Sequence, residues 1–193
     1  MILPKIMVIV TLAIMSSIVL VNMQQTMHHY RYTRRIPSPG HLIRLAHILE
    51  GLYQGFELPK MNISEFKITT HEVSVKINDI PFKLWGSALA LSRSNLTGNE
   101  YWIEVNASSH VKINLDQYTI VLPAAIEIYH SDSTINIRLI SIKLMQDAIK
   151  KEDRLCCSMF TRHLTIYVNG DPICRFSSNS SFLLYIELVR WGA

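Results

Sequence analysis

Three cysteines (Cys156, Cys157 and Cys174) and eight histidines are the residues from which a metal site or nucleophilic centre could be built. Neither pattern forms. Cys156 and Cys157 are adjacent, and a vicinal pair bridges only with strain. A CC…C arrangement lacks the spacing of a zinc site. An odd cysteine count does not make a disulfide framework, so reduced thiols are expected. His28 and His29 flank an apolar segment, and most of the other histidines fall on polar faces of expected elements. None has a catalytic or metal-binding partner at a recognisable spacing. Glu100, Glu104 and Asp116 lie on a polar face or in turns, which gives no basis for paired-carboxylate catalysis. There is no Gly-rich phosphate loop, no G-x-S-x-G elbow and no H-E-x-x-H. The chain reads as a non-enzyme with no cofactor.

A modification chemistry is written in more plainly. Four N-x-S/T sequons occur, at Asn62, Asn95, Asn106 and Asn179. Chance predicts roughly one or two for this composition. Asn106 falls inside an expected strand, a poor place for a surface-loop modification.

The elements that must position these residues begin with Ile6–Val21, an apolar run that reaches the roughly 20 residues of a spanning helix when its flanks are counted. It is longer than the apolar region of a secretory signal, and VNMQQTM after it has no small-x-small cleavage pattern. An uncleaved anchor over 1–24 is the expectation. Lys5 precedes it, whereas Arg31, Arg34 and Arg35 follow, so the positive-inside rule places the amino terminus in the lumen and the body in the cytosol. A basic linker fills 25–40. The net charge of +4 is mild and otherwise scattered, so nucleic acid is not an expected partner.

The body, 41–193, opens on HLIRLAHILEGLYQGF, whose apolar residues recur at three- and four-residue steps and predict an amphipathic helix closed by Gly55 and Pro59. From Met61 onward the period becomes two. EVSVKIN changes parity at Asn78-Asp79, which predicts a turn or bulge. YWIEVNASSHVKINL (Tyr101–Leu115) alternates throughout and predicts one very long strand, against an ordinary length of about 5–6 residues. Pro123 interrupts the next run. STINIRLISIKL shifts parity at Leu139-Ile140, a second bulge signal. QDAIKKEDR reads as a short helix or loop, and NGDP as a turn after LTIYV. Long, bent, two-faced strands imply a strongly curved antiparallel sheet that wraps an apolar ligand. A sandwich or a closed barrel satisfies the same alternation.

IVLPAAIEIYHSDSTINIRLISIKL (Ile120–Leu144) and CRFSSNSSFLLYIELVRWGA (Cys174–Ala193) together resemble the synaptotagmin-like mitochondrial lipid-binding (SMP) domain family, in the form found in endoplasmic reticulum–mitochondria tethers. The resemblance rests on Leu122-Pro123, Phe176-Ser177 and Trp191-Gly192-Ala193, with the expected final-turn proline replaced within SSNSS. It implies an α+β protein: a transmembrane helix, then a helix and a long curved sheet forming a tubular, TULIP-like lipid groove. It further implies phospholipid binding, transfer and tethering at an organelle contact site, in a single-pass protein of the endoplasmic reticulum membrane. The bound ligand would be a membrane phospholipid. Partners would be other SMP-domain proteins of a tether or a second copy of the chain. The groove-facing candidates are Ile103, Val105, Val111, Ile113, Leu115, Ile126, Ile128, Ile135, Ile137 and Leu139. Plain core packing accounts for each of them equally well.

The competing reading is a secreted or membrane-anchored β-rich glycoprotein ectodomain with a structural or receptor-binding task. The sequons and the β-rich body favour it. The basic flank, unpaired cysteines and strand lengths favour the lipid module. A periplasmic lipid-bridge protein would use the same groove with the opposite topology.

Overall fold

The computed structural model describes residues 38–57, 63, 65–91, 102–145 and 151–192, without the side chains of 152–156. The expected anchor and most of the basic linker lie outside these residues, as do Asn62, Asn95 and Glu100. Among the described residues no helix is long and apolar enough to cross a membrane.

Residues 39–193 form one compact unit. It contains one described helix, α1 (Pro39–Glu50), and nine strands. These are β1 (Lys67–Ile77), β2 (Ile80–Ala90), β3 (Ile103–Val105), β4 (Lys112–Asn114), β5 (Thr119–Leu122), β6 (Ala124–Ser131), β7 (Thr134–Ile142), β8 (Lys151–Val168) and β9 (Asp171–Trp191). All nine join in one open sheet of order β3-β6-β7-β9-β8-β1-β2-β5-β4.

This overturns the expected fold class. The described chain is mostly β rather than α+β, and its sheet does not close into a tube. Nor is it all antiparallel: β7 runs parallel to β9, and β3 parallel to β6. The sheet folds over on itself instead. The β8–β9 hairpin is the spine. The last part of β9 pairs with β7, whereas the tip of β8 pairs with β1 through Val75–Ile77 and Ile166–Val168. β1–β2 thereby lies across β6–β7–β9. A first core fills the space between them, with Val73, Val75, Leu84, Ile126, Ile137, Leu139, Ile166 and Ile186 at its centre.

A second core lies on the other face of β6–β7–β9. There α1 contributes Leu42, Leu45, Ala46 and Leu49, which meet Ala125, Ile140, Ile142, Val189 and Trp191. Each fully buried leucine adds about 1.5–3 kcal/mol of gross burial free energy. The helix starts at Pro39, whose fixed φ suits a first turn, and ends into turns that reach Gly55 at φ +86°.

The two cores explain the parity shift at Leu139-Ile140. It is not a bulge: the β7 register runs unbroken from Thr134 to Ile142 against β9 and from Thr134 to Ile140 against β6. Ile135, Ile137 and Leu139 face the first core, and Ile140 and Ile142 the second. The shift at Asn78 is a hairpin turn, with Asn78 at φ 51°. Pro123, lacking an N–H, falls between β5 and β6. QDAIKKEDR is no single loop or helix, since β8 begins at Lys151.

The long strand expected at Tyr101–Leu115 does not exist. It is two three-residue strands separated by Asn106, at φ 49°, and an irregular stretch. β3 lies at one edge of the sheet and β4 at the other. The long strands are β8 and β9, of 18 and 21 residues.

Candidate functional site

The outer face of β6–β7–β9–β8 is built of side-by-side rows, because aligned residues on neighbouring strands share a face. The row Ala125–Ile140–Val189 is covered by α1. Next comes a charged row, Glu127–Arg138–Glu187. Beyond it lies Tyr129–Asn136–Tyr185–Ser158, and then Ser131–Thr134–Leu183–Phe160. The last two rows carry Tyr129 at 54%, Tyr185 at 36% and Phe160 at 77% exposure. An aromatic face thus continues where the helix stops.

The charged row is the floor of a polar cluster that sequence reasoning missed. His110, expected on a wet strand face, is buried. Its ring stacks on Tyr53 with centroids 4.4 Å apart and planes at 9°. Nδ1 lies 3.2 Å from Glu50 Oε1, and Nε2 lies 3.6 Å from Glu127 Oε1 without a hydrogen-bond partner. Glu50 also accepts the backbone N–H groups of His110 (2.9 Å) and Val111 (2.8 Å). Arg138 Nη1 donates to the Tyr53 carbonyl at 3.0 Å and to Glu127 Oε2 at 3.3 Å. Tyr53 Oη donates to the Pro123 carbonyl at 2.6 Å.

Burial pushes the Glu50 carboxyl up, but the two backbone donors and the His110 side chain outweigh it and hold the group below its usual range. Burial first, then the charges of Glu50 and Glu104, raise the Tyr53 hydroxyl well above a free tyrosine. Tyr129, beside Glu127, is also raised, by partial burial and by its 2.8 Å hydrogen bond to that carboxylate.

Chemically the cluster is a pin. Glu50, at the end of α1, grips the chain between β3 and β4 and holds it against β6. The His110 ring is sealed between Tyr53 and two carboxylates, with no nucleophile among its hydrogen-bond or ion-pair partners. Among the described residues no group of three or more His, Cys, Asp or Glu side chains is arranged to hold a metal ion. Cys174 carries a free thiol and is half-buried.

The ten groove candidates do not share one surface. Ile126, Ile135, Ile137 and Leu139 are in the first core, with Ile103 and Ile128 packed partly buried against it. Val111 packs against the second core. Val105, Ile113 and Leu115 are exposed at 41%, 39% and 42%. A cavity of about 310 Å³ sits elsewhere, near the hairpin tips, lined by Ser74, Lys76, Tyr167 and Gly170.

Of the sequence positions that carried the family resemblance, Trp191 is in the second core, where its Nε1 donates to the Leu52 carbonyl at 3.0 Å. Phe176 is half exposed, edge-on to Phe182. The aromatic face was missed because Tyr129, Tyr185 and Phe160 lie on three strands whose adjacency is not a local property. Comparison of the chain with protein-family models, with curated proteins and with solved structures finds no match.

Proposed function

We propose that residues 39–193 are a non-catalytic β-sandwich recognition module that binds a protein partner. The observation that carries this reading is the uncovered part of the sheet face, where Tyr129, Tyr185 and Phe160 stand exposed beside Asn136 and Thr134. Aromatic side chains offer large contact area at low entropic cost, and tyrosine adds a polar tip. The charged row Glu127–Arg138–Glu187 borders this patch as a polar rim would. Beneath it the first core backs the sheet, and the second core adjoins it on the same face under α1, so the face is preorganised.

Phospholipid transfer is the weaker reading. It needs a long apolar channel, and four of the residues that would line one are spent on the core between the two halves of the sheet. Their close packing leaves an acyl chain nothing to displace.

A photo-crosslinking amino acid placed at Phe160 tests the reading, with Lys83 on β2 as the control position. A discrete adduct with one protein at Phe160 and none at Lys83 supports it. Stoichiometric phospholipid extracted from purified residues 39–193 would overturn it in favour of lipid carriage.

A further inference from the structure

Of the three register shifts in the β8–β9 hairpin, the one between Thr161 and His163 is the largest. Thr161 pairs with Phe182 and His163 pairs with Ser177. A single β8 residue, Arg162, therefore faces four on β9: Ser178, Asn179, Ser180 and Ser181. The β7 ladder begins only at Leu183, so these four have no partner in the register on either side. Leaving ladder positions unpaired weakens a sheet, and an irregularity of this kind in mid-strand marks a feature with a use. Ser178 is half-buried and the other three are exposed, so packing gives the bulge no purpose. Three of its four residues spell the acceptor sequence Asn179-Ser180-Ser181.

Asn106 is a second acceptor in a similar setting. It is not mid-strand, as its alternation implied. It ends β3 in an exposed left-handed conformation at φ 49°, followed by the irregular Ala107-Ser108. Its Oδ1 accepts the Ile128 N–H at 2.7 Å, while its Nδ2 makes no hydrogen bond to a described residue. The atom that would be modified is the one the fold leaves unused.

We propose that Asn179 and Asn106 are N-glycosylation sites, and that the body of the protein is therefore made on the luminal side of a membrane. The co-reactant is an oligosaccharide carried on a lipid diphosphate. The Asn Nδ2 attacks the anomeric carbon and forms the C–N bond. The bond from that carbon to the phosphate oxygen breaks, the lipid diphosphate leaves with its electron pair, and one amide proton passes to the transferase base. The acceptor hydroxyls, Ser181 and Ser108, are exposed like their asparagines. A glycan on Asn179 would sit beside the Phe160 edge of the aromatic face, since Phe182 and Leu183 follow the bulge directly. This inference stands independently of what that face binds.

The test is the full chain expressed in a eukaryotic cell, followed by peptide-N-glycosidase digestion in heavy-oxygen water and peptide mapping. Occupied asparagines then read as heavy-labelled aspartates. Labelled Asn179 and Asn106 are expected, with the Asn179 label lost in Asn179→Gln and in Ser181→Ala. Ser108→Ala removes the Asn106 acceptor sequence while keeping the Asn106 side chain that pairs with Ile128, so loss of label there is not a folding artefact. Asn179 recovered unmodified from the wild-type chain overturns the proposal, whether the body stays in the cytosol, as the basic flank implies, or the bulge passes unused through the lumen.

Discussion

Asn78 and Asn169 clasp each other's hairpins with the same pair of hydrogen bonds. The Asn78 N–H donates to the Thr165 carbonyl at 2.7 Å, and its Oδ1 accepts the Thr165 N–H at 2.8 Å. The Asn169 N–H donates to the Ser74 carbonyl at 2.8 Å, and its Oδ1 accepts the Ser74 N–H at 3.1 Å. Each asparagine is left-handed, at φ 51° and 50°, so its backbone turns away while its side chain continues the ladder. The reciprocal clasp fixes the β1–β2 turn against β8 and the β8–β9 turn against β1, at the point where the sheet folds over.

Replacing Asn169 by alanine should therefore do two things. The left-handed backbone costs alanine about 1–2 kcal/mol, and the lost side-chain bond a further 0.5–1.5 kcal/mol or so. Asn169→Gly should incur only the second loss. Urea unfolding of residues 39–193 should show the glycine variant between wild type and alanine. Hydrogen exchange should show loss of protection at the Ser74 amide in both variants, and at Thr165 in Asn78→Gly.

Glu50 makes stability depend on acid. Its folded-state pKa lies below the ordinary carboxyl value of 4.5, so it binds fewer protons folded than unfolded. Its contribution is fully present above 4.5 and is lost as pH falls through the lower folded value. Unfolding free energies measured from about pH 6 to pH 3 should decline, and Glu50→Gln should flatten that decline. An unchanged slope in the variant would remove Glu50 from the account.

Tyr53 predicts the opposite limb. Its hydroxyl is raised well above 10.0, so the neutral form is the folded one. That contribution is complete below the unfolded value and is lost as pH rises through the folded one. Phenolate absorbance from Tyr53 should appear only together with loss of the native circular dichroism. Reversible titration near 10 in the folded protein would contradict this. Tyr53→Phe strands the Pro123 carbonyl and should cost about 1–3 kcal/mol.

Gly192 closes the second core. It adopts φ +124°, and a Cβ there would collide with the Lys143 carbonyl oxygen. The Lys143 N–H donates to the Trp191 carbonyl at 2.7 Å, so the two segments cannot separate without losing that bond. Gly192→Ala should cost about 1–3 kcal/mol and red-shift the emission of Trp191 as its indole leaves the core.

The local elements were legible in the residues themselves. The stripe Leu42, Leu45, Ala46 and Leu49 announces α1. Asn78 and the Asn169-Gly170 pair announce turns, Pro123 announces a break, and alternation announces strands. The candidate site was hardly legible at all. His110 read as a polar-face residue because its neighbours alternate, yet Glu50, sixty residues earlier, holds it inside.

Alternation reports which residues share a side of a strand. It does not report what lies against that side, how far the strand runs, or which strand pairs with it. VNASSHVK keeps its parity across an irregular stretch, so two short strands at opposite edges of the sheet looked like one long one. Ile135 to Ile142 changes parity without leaving its register, because the first core lies on one face of β7 and α1 on the other. The sequence by itself determined a helix, turns and two-faced strands, since these follow from bonds between near neighbours and from the side-chain period. Only the tertiary structure decided which apolar faces meet each other, because that depends on contacts between residues far apart in the chain.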